Sequence, residues 1–146
     1  MKTGWYFGTY YVVKPLQNGK RQQLIMWAKE FGYGRYYLIM GIYSSNTTYS
    51  SLCRDSAHIW DKPTSTNKNP STLSIKLALE ALQEIEESIL ELSEGKRRYL
   101  YIDGFDYRRL HAYTRILTKE KYGYKQSKRA KSDYCDLPQL VKTLKK

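Results

Sequence analysis

Apolar residues recur at three- and four-residue steps through Ile75, Ala78, Leu79, Leu82, Ile85, Ile89 and Leu92, a spacing that predicts one long amphipathic helix. Asn69 or Ser71 can cap its start, Pro70 suits its first turn, and Gly95 ends it. Glu80, Glu84, Glu87, Glu91 and Glu94 line the opposite side, where solubility and pairing with basic neighbours explain them better than acid–base chemistry does.

Ahead of that helix the pattern is that of strands. Trp5 to Val13, rich in Tyr, Phe, Val and Thr, predicts one strand with both faces partly covered. Asn18-Gly19 is a hairpin turn signal, and Gln22 to Ala28 is the returning strand. Lys29 to Arg35, with Gly32 and Gly34, predicts the next turn. Tyr36 to Tyr43 follows as a third strand, with a Leu-Ile-Met centre apolar enough for burial on both sides. The three strands make an antiparallel meander.

After the helix, Tyr99 to Ile102 predicts a short strand, Asp103-Gly104 a turn, and Asp106 the cap of a second helix that runs to about Thr118. Leu110, Tyr113, Ile116 and Leu117 form its core face, while Arg108, His111, Arg115 and Lys119 form a basic stripe. Arg109 points off that stripe, and a structural bond to Asp103 or Asp106 is the role expected of it. Tyr122 and Tyr124 can begin a last strand, Lys125 to Lys131 is expected to face solvent or ligand without packing, and Pro138 to Leu144 predicts a final short helix. The expected fold class is α+β: an antiparallel β-meander followed by a long helix, a further strand and a second helix, packed on one sheet.

At 146 residues one domain is expected over 1–146, with a Ser/Thr/Asn-rich loop at 44–70 and a basic segment at 119–146. A loop of that length is usually functional or mobile. His58, beside Trp60 and Asp61, lies in it, but a histidine with no Ser or Cys partner is more often a packed or surface residue. Cys53 and Cys135 have neither CxxC nor metal spacing, so no metal is expected, and free thiols are expected ahead of the alternative, a disulfide between them. Met1 to Gly4 leads straight into an aromatic strand pattern rather than a signal peptide, and no apolar run nears the roughly 18 residues of a span. A cytoplasmic protein that does not meet a membrane is therefore expected.

Charge changes the picture most. Twenty-five Lys and Arg against fourteen Asp and Glu give a net +11, which favours a polyanionic partner over a neutral small molecule. Fifteen Tyr, three Trp and three Phe add an aromatic load that suits stacking on bases, although sheets also take Tyr because it packs on a pleated face. The expectation is a non-enzymatic protein that binds nucleic acid or another polyanion. Lys96, Arg97, Arg98, Arg108, Arg115, Lys119, Lys125, Lys128, Arg129 and Lys131 are the expected phosphate contacts, with Tyr122 and Tyr124 stacking on bases. A second alternative is a protein–protein inhibitor or adaptor, whose basic face blocks a nucleic-acid site on another protein or whose acidic helix imitates DNA; the meander edge around Trp5 to Val13 can also pair with a protein partner's strand or, in a homodimer, with a second copy.

The order hairpin, strand, long helix, strand, helix, with Tyr101-Ile102-Asp103-Gly104-Phe105-Asp106-Tyr107-Arg108-Arg109 and then Tyr113, resembles the C-terminal half of the GNAT acetyltransferase fold. In that family a strand ends in a splayed position, a helix with an inward Tyr follows, and a Tyr-Gly or Gly-Phe element returns to the sheet. Tyr113 and Tyr122-Gly123-Tyr124 stand in those places. A similar ending occurs in small domains of bacteria and of their phages and other mobile elements. The resemblance covers the last half of the chain and implies an acyltransferase with Tyr113 as general acid and the acetyl-CoA pyrophosphate at the Ser71 end of the long helix. The family's phosphate loop, an Arg or Gln followed by Gly-x-Gly or Gly-x-Ala, has no counterpart in Thr64 to Ser71, which lacks glycine and loses a donor at Pro70. Ser71, Thr72 and Lys68 remain to hold a single phosphate. A GNAT-like shell without GNAT chemistry is the expectation, with no cofactor required.

Overall fold

The computed structural model describes residues 3–6, 9–16, 21–46, 72–104 and 107–145. Its fold is α+β, as the pattern predicts. A seven-stranded sheet has the order β1-β2-β3-β4-β5-β7-β6, with β1 Thr3–Tyr6, β2 Thr9–Leu16, β3 Gln22–Glu30, β4 Arg35–Ser44, β5 Arg98–Ile102, β6 Lys125–Lys131 and β7 Pro138–Leu144. The described helices are α1, Thr72–Leu92, and α2, Tyr107–Leu117. By their internal contacts the residues group into two compact units, Met1–Ala28 with Met40–Ser88, and Lys29–Ile39 with Ile89–Lys146.

In the first unit, the single strand expected over Trp5 to Val13 is two strands. β1 and β2 pair antiparallel, with Thr3 opposite Val12 and Tyr6 opposite Thr9. The run lacks clean alternation because it contains a reversal. The meander edge is therefore β1 alone, since β2 lies between β1 and β3. Asn18-Gly19 lies outside the described residues, as do His58, Cys53, most of the 44–70 loop and the Lys68 to Ser71 approach to α1.

β3 is the strand buried on both faces. Gln23 to Ala28 are six successive buried residues, which an alternating half-covered strand cannot produce. The Leu-Ile-Met centre of β4 does not match its expectation: Leu38 is buried, while Ile39 and Met40 are half-buried. Ala81, Leu82 and Ile85 of α1 join Val12, Leu16, Leu24, Ile25, Met26, Trp27, Ala28 and Tyr43 among the buried apolar side chains of this unit. Across the surface of the unit, Lys14 Nζ meets Glu84 Oε1 at 2.7 Å, so one acid of the glutamate row does pair with a basic neighbour.

In the second unit, α1 ends differently from the expected stripe. Leu92 is 54% exposed and Ser93 is fully buried, because steps of four carry the buried line from Ile89 to Ser93. The Ser93 hydroxyl donates to the Leu90 carbonyl at 2.7 Å, and Gly95 follows in a left-handed conformation, φ +79°.

β4 and β5 are parallel, with Arg35 opposite Tyr99 and Leu38 opposite Ile102. Two elements correct the expectations for the C-terminus. Pro138 to Leu144 is not a helix but β7, antiparallel to β5 with Leu140 opposite Ile102 and Leu144 opposite Arg98. Leu140 and Leu144 fit either period, and the open side of β5 decides between them; Pro138, without an N–H, takes the first position of the strand. Lys125 to Lys131 turns its four cations to solvent, as expected, but its backbone is the edge strand β6, paired with β7 and irregular between Gln126 and Lys131. Lysine and a bulge on an edge discourage pairing with another chain, which explains a strand with so little apolar content.

Candidate functional site

Seventeen basic and eight acidic residues lie in Lys29–Ile39 and Ile89–Lys146, so +9 of the formal +11 belongs to the second unit. All the residues expected to contact nucleic acid lie there. Lys96 and Arg97 are exposed in the link between α1 and β5; Arg108 and Arg115 on α2, and Lys119 just beyond it, are exposed; Lys125, Lys128, Arg129 and Lys131 are exposed along β6. His111 is exposed too, stacked on Tyr107 one turn earlier with centroids 5.6 Å apart and planes at 7°.

The α2 stripe follows from local sequence. Leu110 and Leu117 are buried, which turns Arg108, His111 and Arg115 outward. Gly104 fixes the approach: a Cβ there would stand 2.6 Å from the Leu110 backbone nitrogen, so only glycine lets the helix pass so close to the end of β5. Thr114 donates to the Leu110 carbonyl at 2.8 Å and Thr118 to Thr114 at 2.6 Å, satisfying helix carbonyls with side chains.

Three expected contacts have other structural settings. Tyr124 is 2% exposed, with Lys142 Nζ 5.5 Å from its ring centroid, so no face is open for a base. Tyr122 is half-buried under Lys121 Nζ, 5.0 Å from its centroid. Arg98 is half-buried: it hydrogen-bonds Tyr36, and its side chain lies where a Cβ on Gly34 would be 3.1 Å from both Cδ and Nη1. It braces the β3–β4 turn. Tyr113, the acid under the GNAT resemblance, is half-buried on α2, and Arg109, four residues earlier, is half-buried too.

Asp103 gathers four donors at the end of β5. Its Oδ1 accepts from Gly104 N–H at 2.7 Å and Ser132 Oγ at 2.6 Å, and its Oδ2 from Asp133 N–H at 3.0 Å and Gln139 Nε2 at 3.4 Å. Gln139 Nε2 also donates to the Tyr37 hydroxyl. Burial, with the negative charges of Asp103 and Asp133, pushes Tyr37 up to about 12. Burial and the same two carboxylates raise Tyr134, and burial and Glu30 raise Tyr36 against the lowering effect of Arg98. These tyrosines stay neutral at ordinary pH.

A cluster that sequence reading assigned only to a turn lies between β3 and β4. Phe31 is 44% and Tyr33 92% exposed, with the Arg35 guanidinium 4.7 Å from the first ring and 5.6 Å from the second. The signal was present as Phe-Gly-Tyr-Gly-Arg, two aromatics and an arginine alternating with glycine. Among the described residues no group of three or more His, Cys, Asp or Glu can hold a metal ion, Cys135 is a free half-buried thiol, and no helix is long and apolar enough to cross a membrane. No protein-family model matches the chain, and neither a curated protein nor a solved structure matches it.

Proposed function

We infer that the chain is a small basic binding protein, not an enzyme, that contacts nucleic acid or another polyanion through the second unit. The observation that carries this reading is the distribution of charge: +9 in that unit, with nine cationic side chains exposed on the α1–β5 link, α2 and β6. Lysine and arginine in such numbers displace condensed counterions from a phosphate backbone, and the affinity then falls steeply with salt. For six or more phosphate contacts the loss between 50 and 200 mM salt is about a thousandfold or more.

Titrating a labelled oligonucleotide with the protein over a salt series tests the reading. Steep loss of binding as salt rises supports it. Binding retained at several hundred millimolar salt, or absent at low salt, overturns it. Substituting Arg108, Arg115 and Lys119 together, or Lys125, Lys128, Arg129 and Lys131 together, should weaken binding for all sequences and flatten the salt dependence.

One observation favours a second reading, a GNAT-like acyltransferase with a degenerate acetyl-CoA site. β4 and β5 are parallel but pair only from Arg35–Tyr99 to Leu38–Ile102, and β4 runs on to Ser44. A strand that outruns its parallel neighbour suits the splayed strand of that fold. Tyr113 is its acid, and the phosphate end at Ser71 lies outside the described residues. A thermal shift with millimolar acetyl-CoA separates the readings: stabilisation supports this one, and an unchanged melting temperature counts against it.

A further inference from the structure

We propose that the turn between β3 and β4, together with the Lys96–Arg97 link, is a stacking site for single-stranded nucleic acid, a reading that rests on the polyanion function above and gives it a location and a ligand class. Two segments distant in sequence meet here. The Gly34 carbonyl accepts from Tyr99 N–H at 2.9 Å, and a Cβ on Gly34 would lie 3.2 Å from the Arg97 carbonyl oxygen, so the turn rests directly on the link that carries Lys96 and Arg97. Both of those cations are exposed.

The turn is built to hold rings outward. Phe31 N–H donates to the Arg35 carbonyl at 2.9 Å, and Arg35 returns its own N–H to the Gly32 carbonyl at 3.1 Å and its Nε at 3.2 Å. Phe31 is steadied edge-on against Tyr37 at 5.5 Å and Tyr101 at 5.9 Å between centroids, both half-buried. Phe31 stays 44% exposed. Arg35 lies within cation–π range of both Phe31 and Tyr33.

Tyr33 is the telling residue. Gly32, Tyr33 and Gly34 all have left-handed backbone, φ +107°, +56° and +72°, and glycine would satisfy all three positions. A tyrosine there adopts a conformation that L-residues disfavour while its ring, 92% exposed, buries almost nothing. Beyond its contact with Arg35, folding gains little from that ring. A partner that covers it gains more.

The occupant follows from the chemistry at hand. Two open rings call for flat apolar faces, and Arg35, Lys96 and Arg97 call for anionic groups spaced along them; Glu30 is the one acid of the turn segment. Single-stranded nucleic acid offers both, whereas in a duplex the base faces are already stacked on one another.

The test is fluorescence anisotropy at low salt with a labelled thymidine oligomer and a duplex of equal length, using native protein and the variants Tyr33→Gly, Tyr33→Phe and Phe31→Ala. Tyr33→Gly relieves the left-handed backbone, so its melting temperature should equal or exceed the native one and a loss of binding is not a loss of fold. We expect the native protein to prefer the single strand and Tyr33→Gly to weaken it by about 5- to 150-fold, the range for losing one stacked base. Tyr33→Phe should bind as the native protein does. Equal affinity for strand and duplex, or single-strand binding unchanged in both Tyr33→Gly and Phe31→Ala, overturns the stacking site. If binding to either probe still falls on substituting the β6 cations in that case, the polyanion function stands without it; if neither probe binds at low salt, both fail.

Discussion

Ser132 Oγ donates to Asp103 Oδ1 at 2.6 Å, a bond that spans 29 residues and ties the β6–β7 connection to the end of β5. Asp133 N–H at 3.0 Å on the other oxygen completes the tie, and Ser132 N–H to the Leu137 carbonyl at 2.9 Å closes the connection on itself. The carboxylate thus organises the strand that carries four exposed cations.

Asp103→Ala should lower stability by about 1–3 kcal/mol, because several donors lose their acceptor at once. Urea denaturation measures it. Ser132→Ala removes one of the four bonds, with the one Ser132 Oγ accepts from Tyr134 N–H at 3.0 Å, and should still lose less; equal losses for the two variants would contradict a shared hub.

Tyr37 gives the protein an alkaline limit. Its hydroxyl ionises near pH 10 in the unfolded chain and at about 12 in the folded one, so its contribution is full below pH 10 and is lost as pH rises towards 12. Allowing for solvent screening of a partly exposed group, the loss is about 1 kcal/mol. Tyr37→Phe should flatten the fall in urea midpoint between pH 10 and 12, leaving the smaller slope due to the other raised tyrosines. A slope as steep as the native one would refute the assignment.

Gly104→Ala should be among the most damaging small substitutions. The added methyl meets the nitrogen of Leu110 at 2.6 Å and its Cα at 3.0 Å, and backbone cannot turn aside as a flexible side chain can. A loss of about 3 kcal/mol, or failure to fold, is expected. Gly95→Ala meets no atom within 4 Å, and the cost there comes only from its left-handed φ of +79°. Comparing the melting temperatures of the two variants separates collision from conformation.

Lys14 and Glu84 can be measured as a pair. Their 2.7 Å contact lies at a surface where 25% and 40% of the side chains remain exposed, so a double-mutant cycle should return a coupling of about 0.2–1 kcal/mol that shrinks with added salt. A coupling that salt leaves unchanged would mean the contact is not chiefly electrostatic.

Local sequence determined the elements whose periodicity is long or whose punctuation is plain. The apolar steps from Ile75 to Ile89 can only be a helix with one buried side, and Leu110 with Leu117 turns Arg108 and Arg115 outward whatever the neighbours are. The net charge, and its concentration towards the C-terminus, also needed no coordinates. Tertiary structure decided what depends on neighbours. Pro138 to Leu144 fits a helix or a strand until β5 supplies an unpaired side, and Lys125 to Lys131 becomes a strand only because β7 offers backbone partners that its side chains do not require. Tyr124 and Tyr33 show the same limit in opposite directions: identical side chains, each next to glycine, one 2% and the other 92% exposed. Exposure belongs to the packing around a ring, and so do the meeting of Gly34 with Arg97 and of Asp103 with Ser132, because contacts between distant segments are set by how strands order in the sheet rather than by spacing along the chain.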